Sequence, residues 1–321
     1  MTYLTRAVAF APGSIGNVGP GLDVLGAALT GPGDAVMAEW IDAPGIRIKH
    51  SGHPELPLEP TRHSSGVAAM AVIRSATALG LTAPANGIAL TVTKGLPLSA
   101  GQGGSAASAV AGASAVNALL GSPLDTVALL AACLVAEEAM AGRHLDNIAP
   151  SLVGGVAIIR SLDPIDIVSL PVPDGLRVVL AHPNQRLRTS DARAVLPIDV
   201  PRAVALHQMA QVAAIVAAFH SGDLRLLGRA IDDRIAEPVR APLLPGFVAA
   251  KRAALAAGAL GASISGAGPS AFAFCDGDAS AAAVALAMRA AYAADGIEST
   301  VRVERIDMVG VRLEHFRAET S

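Results

Sequence analysis

Three glycines within four residues, placed directly before an alanine-rich run, constrain this chain more than any other feature. Residues 96–112 read LPLSAGQGGSAASAVAG, with glycine at 101, 103 and 104. Because glycine loses more conformational freedom on folding than any other residue, this cluster indicates a backbone that bends tightly or lets something approach closely. The alanine-rich run that follows predicts a helix at about 105–120.

A phosphate group is one candidate for what approaches this loop. Successive amide groups in a glycine loop and the positive end of the following helix together form a site for an anion. The loop is not a Walker A motif, because no Gly-Lys-Ser/Thr ends it. A tight turn in which Ser105 caps the helix is the alternative. A second glycine turn, SISGAGPSAF at 263–272, indicates by itself a hairpin or a bulge. Together with the first loop, it becomes a candidate for a functional turn.

The composition narrows the class of partner. The 321 residues carry a net charge of −3 and no basic run, so we expect a small-molecule partner, no nucleic acid and no membrane surface. No window offers about 20 strongly apolar residues, so we expect no membrane span. Cys133 and Cys275 lie in apolar patterns, which predicts buried thiols in the reducing cytoplasm and no disulfide.

Strand and helix patterns interleave without a regular βαβ period, which predicts an α+β fold. A chain of this length usually forms two domains. The segment at about 160–175, rich in Pro and Asp, is the predicted boundary between domains at 1–165 and 166–321. The first strand is expected to break at Pro12, and one of the later helices is predicted at about 223–236.

Acidic and amide side chains beyond the glycine loops suit catalysis, but each also has a plainer explanation. Glu137 and Glu138 end a predicted helix, where the macrodipole disfavours carboxylates unless a cation such as Mg²⁺ is near. A solvated helix end is the alternative. In the loop HLDNIAP that follows, Asp146 and Asn147 suit the polarisation of a hydroxyl group, or an Asx-turn.

Charged residues at three other places suit a small charged ligand. Asn17 and Asp23 carry the polar groups of NVGPGLD, although an Asp at a helix start often serves only as a capping charge. Arg193 and Arg240 lie on predicted loops of the second half. Each suits bidentate pairing with a carboxylate, and the alternative is an ordinary surface arginine.

Taken together and in this order, these motifs resemble those of the GHMP kinases, the superfamily of galactokinase, homoserine kinase, mevalonate kinase and phosphomevalonate kinase. APGSIGNVGPGLDVLG is similar to the opening of the homoserine kinase branch, residues 96–112 to the family phosphate loop, and SISGAGPSAFAF to the third family motif. HLDNIAPSLVGG and IAEPVRAPLLPGF resemble motifs specific to the homoserine branch. The resemblance spans nearly the whole chain.

The resemblance implies both a fold and an activity. The fold is a first domain with the left-handed βαβ arrangement of ribosomal-protein domains and a ferredoxin-like second domain, with ATP and substrate between them. The activity is ATP- and Mg²⁺-dependent phosphorylation of the side-chain hydroxyl of L-homoserine in threonine biosynthesis. The alternatives are a kinase for another small alcohol, such as mevalonate or a sugar, and a catalytically inactive ligand sensor. A homodimer is an assembly that the resemblance allows.

The resemblance also implies residue roles. Ser105 and Glu137 would hold Mg²⁺, with Glu137 preferred to Glu138 because it matches the family glutamate. Asp146 is the candidate base if one exists, and Asn147 would orient the hydroxyl. The implied ATP-binding residues are Pro97, Ser99, Gly101, Gly103, Gly104, Ser105, Ala106 and His63. The implied substrate-binding residues are Asn17, Asp23, His144, Asp146, Arg193 and Arg240, with Asp23 for the ammonium group and the two arginines for the carboxylate.

Three parts of the sequence depart from the family pattern. The loop sequence Leu-Gly-Ser-Ser is here Gln-Gly-Gly-Ser at 102–105, so one hydroxyl is lost and a polar side chain enters the loop. If the missing serine contacted a phosphate, ATP binding would weaken by about 1.5–3 kcal/mol. His63 stands where many relatives carry an asparagine near the nucleotide. Leu22 replaces a phenylalanine, which alters packing more than chemistry.

Overall fold

The computed structural model describes residues 4–81 and 86–317, and within them the strands form two sheets. The strands are β1 (Leu4–Gly16), β2 (Leu25–Ile41), β3 (Ile46–His50), β4 (Gly87–Thr93), β5 (Val156–Leu162), β6 (Ile165–Leu170), β7 (Leu176–Pro183), β8 (Gly261–Ile264), β9 (Ala271–Asp276), β10 (Ser299–Glu304) and β11 (Arg312–Arg317). The helices are α1 (Ser64–Ala78), α2 (Gly104–Leu119), α3 (Thr126–Met140), α4 (Ile148–Val153), α5 (Thr189–Ala194), α6 (Arg202–Ser221), α7 (Leu224–Arg229), α8 (Glu237–Arg240), α9 (Phe247–Ala256) and α10 (Gly277–Ala294).

The larger sheet has seven strands. Its main path runs β11-β1-β2-β4-β3, and β5 pairs with β2 and with β6. Strands β3 and β4 are parallel and are connected through α1, which makes a βαβ unit. The predicted break at Pro12 is wrong, because β1 continues to Gly16. The pairing register with β2 shifts between Pro12 and Ser14, and such an irregularity accommodates a proline that has no N–H to donate.

The smaller sheet has four antiparallel strands in the order β10-β7-β9-β8. Numbered along the chain this order is 4-1-3-2, with helices after the first and third strands, which is the ferredoxin-like arrangement that the resemblance implies. The predicted helix at 223–236 is too long, because α7 ends at Arg229. The Asp233 carboxylate accepts hydrogen bonds from the amides of residues 235, 236 and 237 at 2.8–3.1 Å, which holds a turn there instead.

Apolar side chains of the described residues gather in three clusters. One lies between the larger sheet and helices α1 to α4, and another lies between the smaller sheet and helices α9 and α10. The third is shared, since Ile15 and Leu25 of the larger sheet pack in the same cluster as Phe219 and Phe272 from the second half. The two halves therefore meet through an apolar core.

The segment predicted as the domain boundary contains regular structure. Strand β6 lies inside it and forms a hairpin with β5, so the larger sheet extends to Leu170. Strand β11 returns from the end of the chain to pair with β1. The boundary between residues 165 and 166 stays a prediction, and the larger sheet takes strands from both sides of it.

Helix α6 bears on the expectation that the chain has no membrane span. By length and composition this helix is able to cross a membrane, and within the described residues it is the helix that meets that criterion. Helices that pack inside globular proteins meet it as well, and Ile215 and Phe219 of α6 are buried in the shared core. The helix is therefore weak evidence for a span.

Candidate active site

A cavity of about 380 Å³ opens where the two sheets meet the N-terminus of α2. Both glycine segments line it, with Gly103 and Gly104 on one side and Gly266 on the other. The amide of Gly266 donates to the carbonyl oxygen of Gly16 at 3.0 Å, and the Ser265 hydroxyl donates to the carbonyl oxygen of Gly101 at 2.6 Å. The two glycine motifs therefore form one site.

The phosphate loop requires glycine at two of its positions. Gly101 and Gly103 have φ values of +71° and +69°, in the left-handed region where a Cβ atom is strained. A Cβ atom at Gly103 would lie 2.2 Å from Ser14 Oγ, and one at Gly101 would lie 2.4 Å from the carbonyl oxygen of Ser265. The close approach that the sequence predicted is therefore an approach of the loop to β1 and to the second glycine turn.

The first turn of α2 supplies hydrogen-bond donors to the cavity. Amides of the first helical residues have no intrahelical acceptor, and the helix dipole adds positive potential there. Gly104 and Ser105 line the cavity, whereas Ala106 has a fully buried side chain and lies outside the lining, so it offers the site only its backbone amide. The other predicted ATP-binding residues, Pro97, Ser99, Gly101, Gly103 and His63, also line the cavity.

Glu137 is a buried carboxylate beside this helix terminus. Its side chain is 3% exposed, and Ser105 Oγ donates to its Oε2 at 3.3 Å. Burial raises the pKa of Glu137, and the charge of His144, whose Nε2 lies 3.7 Å from Oε1, works against that rise. A carboxylate with so little compensation, next to a hydroxyl and to free amides, fits the donor set that Mg²⁺ takes alongside phosphate oxygens. Glu138 is exposed, which favours Glu137.

The HLDN loop lies against the same wall of the cavity. Asp146 is buried, with Oδ1 at 3.0 Å from His144 Nδ1, and its Oδ2 accepts from the amide of Asn17 at 2.9 Å. Asn147 Oδ1 accepts from the hydroxyl of Ser14 at 3.0 Å, beside Gly103 of the phosphate loop. The loop therefore brings the predicted catalytic residues Asp146 and Asn147 to the phosphate loop.

The His144 ring leaves one polar atom without a partner. Burial acts to lower the pKa of His144, but the hydrogen bond to Asp146 and the charges of Asp146 and Glu137 raise it above its ordinary value. Its Nε2 atom is buried and has no hydrogen-bond partner in the described part of the chain. Since buried polar atoms are rarely left unpaired, this atom is available to a ligand.

Opposite charges meet at the other end of the cavity. Arg193 donates from Nη2 to Asp23 Oδ1 at 2.5 Å and from Nη1 to Oδ2 at 3.2 Å. Asp23 has φ +58°, and its amide donates to Asn17 Oδ1 at 2.9 Å. Asp23 is not in the cavity lining, whereas Arg193 is. The two groups predicted to bind the ends of a zwitterion thus bind each other.

Arg240 carries a buried charge that also lines the cavity. Its side chain is 2% exposed, and it donates from Nε to the carbonyl oxygen of Ala192 and from Nη1 to that of Gly266, both at 3.1 Å. Burial lowers the pKa of Arg240, with the nearby charge of Arg193 acting in the same direction. Among the described residues no carboxylate forms an ion pair with it. A buried cation without an ion-pair partner fits an anionic ligand.

A second group of residues has the spacing of a cation site. Ligand atoms of Asp23, His144 and Asp146 lie within 4.8 Å of one another. Their present partners argue against that use, because Asp23 is paired with Arg193 and both oxygens of Asp146 have partners. Glu137 with Ser105 is therefore the better fit for Mg²⁺.

His63 lines the cavity but uses both ring nitrogens internally. Nδ1 accepts from the amide of Ser65 at 3.2 Å and caps α1, and Nε2 lies 3.2 Å from the carbonyl oxygen of Ser51. Because Nδ1 accepts a hydrogen bond, the ring proton is assigned to Nε2, and burial lowers the pKa of His63. The His63 ring therefore has only its face to offer a nucleotide, since both of its nitrogens have partners within the chain.

Lys94 is a cavity residue that sequence reasoning missed. Its ammonium group pairs with Asp34 and donates to Ser108 Oγ and to the carbonyl oxygen of Gly104, both at 3.0 Å. The side chain is almost fully buried. Through the hydrogen bond to the Gly104 carbonyl oxygen, Lys94 thus holds the first residue of α2 in place. The available signal was a single lysine at the end of an apolar strand, directly before the glycine loop.

Both halves of the chain match models of one kinase family. Residues 64–155 match the GHMP kinases N terminal domain, and residues 215–294 match the GHMP kinases C terminal family. Together with the sheets and the phosphate loop, these matches define an α+β protein of the GHMP kinase class. A crystal structure of L. major mevalonate kinase, 16% identical over 95% of this chain and 98% of that one, shares the fold with a TM-score of 0.71.

Relatives narrow the class further. Homoserine kinase of Chlorobium phaeovibrioides is 40% identical over 318 residues, which cover 95% of this chain and 98% of the relative. Homoserine kinase of Arabidopsis thaliana is also 40% identical, over 95% of this chain and 83% of the relative. The crystal structure of homoserine kinase from Cytophaga hutchinsonii superposes with a TM-score of 0.91 at 38% identity, over 98% of this chain and 99% of that one. The chain belongs to the homoserine kinase family of phosphotransferases.

Proposed function

We propose that this chain transfers the γ-phosphoryl group of ATP to the side-chain hydroxyl of L-homoserine, with Mg²⁺ as the required cation, in the cytoplasm and as a step toward threonine. One observation carries the proposal beyond family membership. The cavity is lined by the N-terminus of α2 and the buried carboxylate of Glu137, and also by Arg193 and Arg240, with Asp23 paired to Arg193 just outside the lining. A homodimer stays a prediction that sedimentation measures.

The charges at the substrate end favour an amino acid over other alcohols. A zwitterion brings an ammonium group for Asp23 and a carboxylate for Arg193 and Arg240, and bidentate arginine pairing suits a carboxylate. Mevalonate has a carboxylate but no ammonium group, and a sugar has neither. The ion pair between Asp23 and Arg193 is replaced, charge for charge, by the two ends of the substrate.

Phosphoryl transfer passes through a loose transition state, so positioning and neutralisation of charge supply most of the acceleration. Amides of residues 104–106 are proposed to bind phosphate oxygens, with Ser105 and Glu137 holding Mg²⁺. The metal ion neutralises charge that develops on the phosphate oxygens. Lys94 keeps the first residue of α2 in place through its bond to the carbonyl oxygen of Gly104.

At the acceptor, Asn147 is proposed to orient the hydroxyl group whose oxygen forms the new bond to phosphorus. The bond from the γ-phosphorus to the bridging oxygen breaks, ADP leaves, and the hydroxyl proton passes to an oxygen of the transferred phosphoryl group. Asp146 was the candidate base in the sequence. Hydrogen bonds to both of its oxygens suit an anchor for the loop better than a proton acceptor, and a loose transition state needs no strong base. The role of Asp146 as a base stays a prediction, and Asp146→Asn tests it, because an anchor tolerates an amide better than a base does.

A coupled ADP-release assay tests the proposed function. We expect ADP formation that depends on L-homoserine and Mg²⁺, and no comparable rate with mevalonate or galactose. Calorimetric titration of L-homoserine in the presence of a non-hydrolysable ATP analogue separates a kinase from a ligand sensor, since a sensor binds the amino acid without turnover. Absence of homoserine-dependent ADP above background would remove the proposal.

A further inference from the structure

The side chain of Gln102, the residue that departs from the family leucine in the phosphate loop, points away from the cavity. It is 2% exposed and lies outside the cavity lining. Its Nε2 donates to Ser270 Oγ at 3.2 Å, and its Oε1 accepts from Arg302 Nη2 at 2.9 Å. Both ends of the amide are therefore engaged with the second half of the chain.

These two partners connect the loop to the smaller sheet at two places. Ser270 ends the second glycine turn just before β9, and its hydroxyl is 3.2 Å from His182 Nδ1 on β7. Arg302 lies on β10 and donates from Nε to Glu304 Oε1 at 3.0 Å. The second oxygen of Glu304 accepts from the Thr30 hydroxyl of β2 at 3.1 Å, which returns the network to the larger sheet.

We propose that Gln102 is a positioning residue that holds the phosphate loop between the two sheets in the conformation that binds ATP. An amide offers a donor and an acceptor, so it joins a hydroxyl to a guanidinium group, which a leucine side chain is unable to do. The Gln102 carbonyl oxygen also accepts from the amide of Ser14 at 3.1 Å, so backbone and side chain fix the same residue.

The expected consequence follows from conformational populations. A loop that spends only part of its time in the competent conformation has its apparent affinity reduced by that fraction. Loss of the network therefore weakens ATP binding while contacts to the alcohol substrate stay intact. The inference rests on the proposed use of ATP at this site, and direct titration of ATP into the wild-type chain tests that premise separately.

Three variants test the proposal. For Gln102→Leu we expect the KM for ATP to rise about tenfold, the size expected for losing a hydrogen bond to a charged group. The kcat and the KM for L-homoserine are expected to stay within about twofold. Gln102→Glu keeps an acceptor for Arg302 and for the Ser270 hydroxyl, so it is expected to recover most of the affinity for ATP. Arg302→Leu is expected to raise the KM for ATP in the same direction.

The double variant Gln102→Leu/Arg302→Leu measures the coupling. If the two residues act through one contact, the double variant is no weaker in ATP affinity than the worse single variant. Gln211→Leu on α6 is the matched control for exchanging an amide for an isobutyl group, and it leaves the KM for ATP unchanged. Circular dichroism and melting temperature establish that each variant is folded.

A purely structural role predicts different results. A lower melting temperature for Gln102→Leu with an unchanged KM for ATP would overturn the proposal, as would equal rises in the KM values for ATP and L-homoserine. Strictly additive effects in the double variant would also overturn it. If the wild-type chain binds no ATP, the proposed function fails. If the wild-type chain and Gln102→Leu bind ATP equally well, only the role proposed for Gln102 fails.

Discussion

The two ends of the cavity are built from different chemistry. At the end formed by the phosphate loop, the lining consists of the first turn of α2, of Gly101 and Gly103 at positive φ, and of one buried carboxylate, Glu137. At the substrate end it consists of charged side chains, above all Arg193 and Arg240. We therefore expect ligand binding at the first end to depend mainly on backbone conformation. At the second end we expect it to depend on the identity of individual side chains.

The phosphate loop carries two of the departures from the family pattern that the sequence resembles. The changes at Gln102 and Gly104 lie at the phosphate end, where the loss of a hydroxyl leaves the amides of the helix terminus in place. The side chain of Gln102 turns inward to a network of its own.

The largest effect is expected at Glu137, the charged group that the phosphate end does require. Glu137→Gln removes the proposed carboxylate ligand of Mg²⁺, so we expect kcat to fall by about 10²–10³-fold, the size typical of losing one electrostatic partner of the transition state. Steady-state kinetics with ATP and L-homoserine measure it. Glu138→Gln is the control, because that neighbour is exposed. Equal rates for Glu137→Gln and the control would contradict the assignment.

Arg240 gives the next largest effect and tests the substrate end. For Arg240→Gln we expect the KM for L-homoserine to rise about 10- to 100-fold, because a charge-assisted hydrogen bond is lost. The melting temperature is expected to change little, since the loss of hydrogen bonds to two buried carbonyl groups offsets the removal of a buried charge. Arg234→Gln, an exposed arginine, is the control. If Arg240→Gln keeps the wild-type KM for L-homoserine, Arg240 does not bind the substrate, and the proposed difference between the two ends of the cavity is wrong.

Gly103 tests the dependence of the phosphate end on backbone shape. For Gly103→Ala we expect the KM for ATP to rise at least about tenfold, since an L-residue in the left-handed region costs about 1–2 kcal/mol, and the Cβ atom would press on Ser14 Oγ. The control is Gly121→Ala, which has φ +86° but no atom within 4 Å of its Cβ position. Both variants carry the backbone strain, and only the first is expected to change ATP affinity.

The smallest effect is a shift of the pH profile with Mg²⁺ concentration. Burial raises the pKa of Glu137, so the free site takes up a proton at a higher pH than an exposed glutamate does. Because Mg²⁺ binds the ionised carboxylate, metal and proton compete. We therefore expect the acid limb of the kcat/KM profile to move to lower pH as the concentration of Mg²⁺ is raised. A pH profile that does not change with the concentration of Mg²⁺ would contradict the assignment of Glu137 as a ligand of Mg²⁺.

Much of the fold class and of the site was predictable from sequence, because glycines and short polar motifs mark the turns that meet at the cavity. Contacts made across the fold were not. The pairing of Lys94 with Asp34 depends on the neighbouring positions of β4 and β2, and the partners of Gln102 lie more than a hundred residues away. Strand β6 falls inside the segment predicted as the domain boundary, because Pro and Asp favour turns and linkers alike.

A crystal structure with a non-hydrolysable ATP analogue, Mg²⁺ and L-homoserine tests the central claim most directly. We predict phosphate oxygens within hydrogen-bond distance of the amides of residues 104–106, Mg²⁺ on Glu137, and the amino acid with its carboxylate on Arg193 and Arg240 and its ammonium group on Asp23. A nucleotide bound elsewhere, or an amino acid bound with its charged ends reversed, would contradict the account.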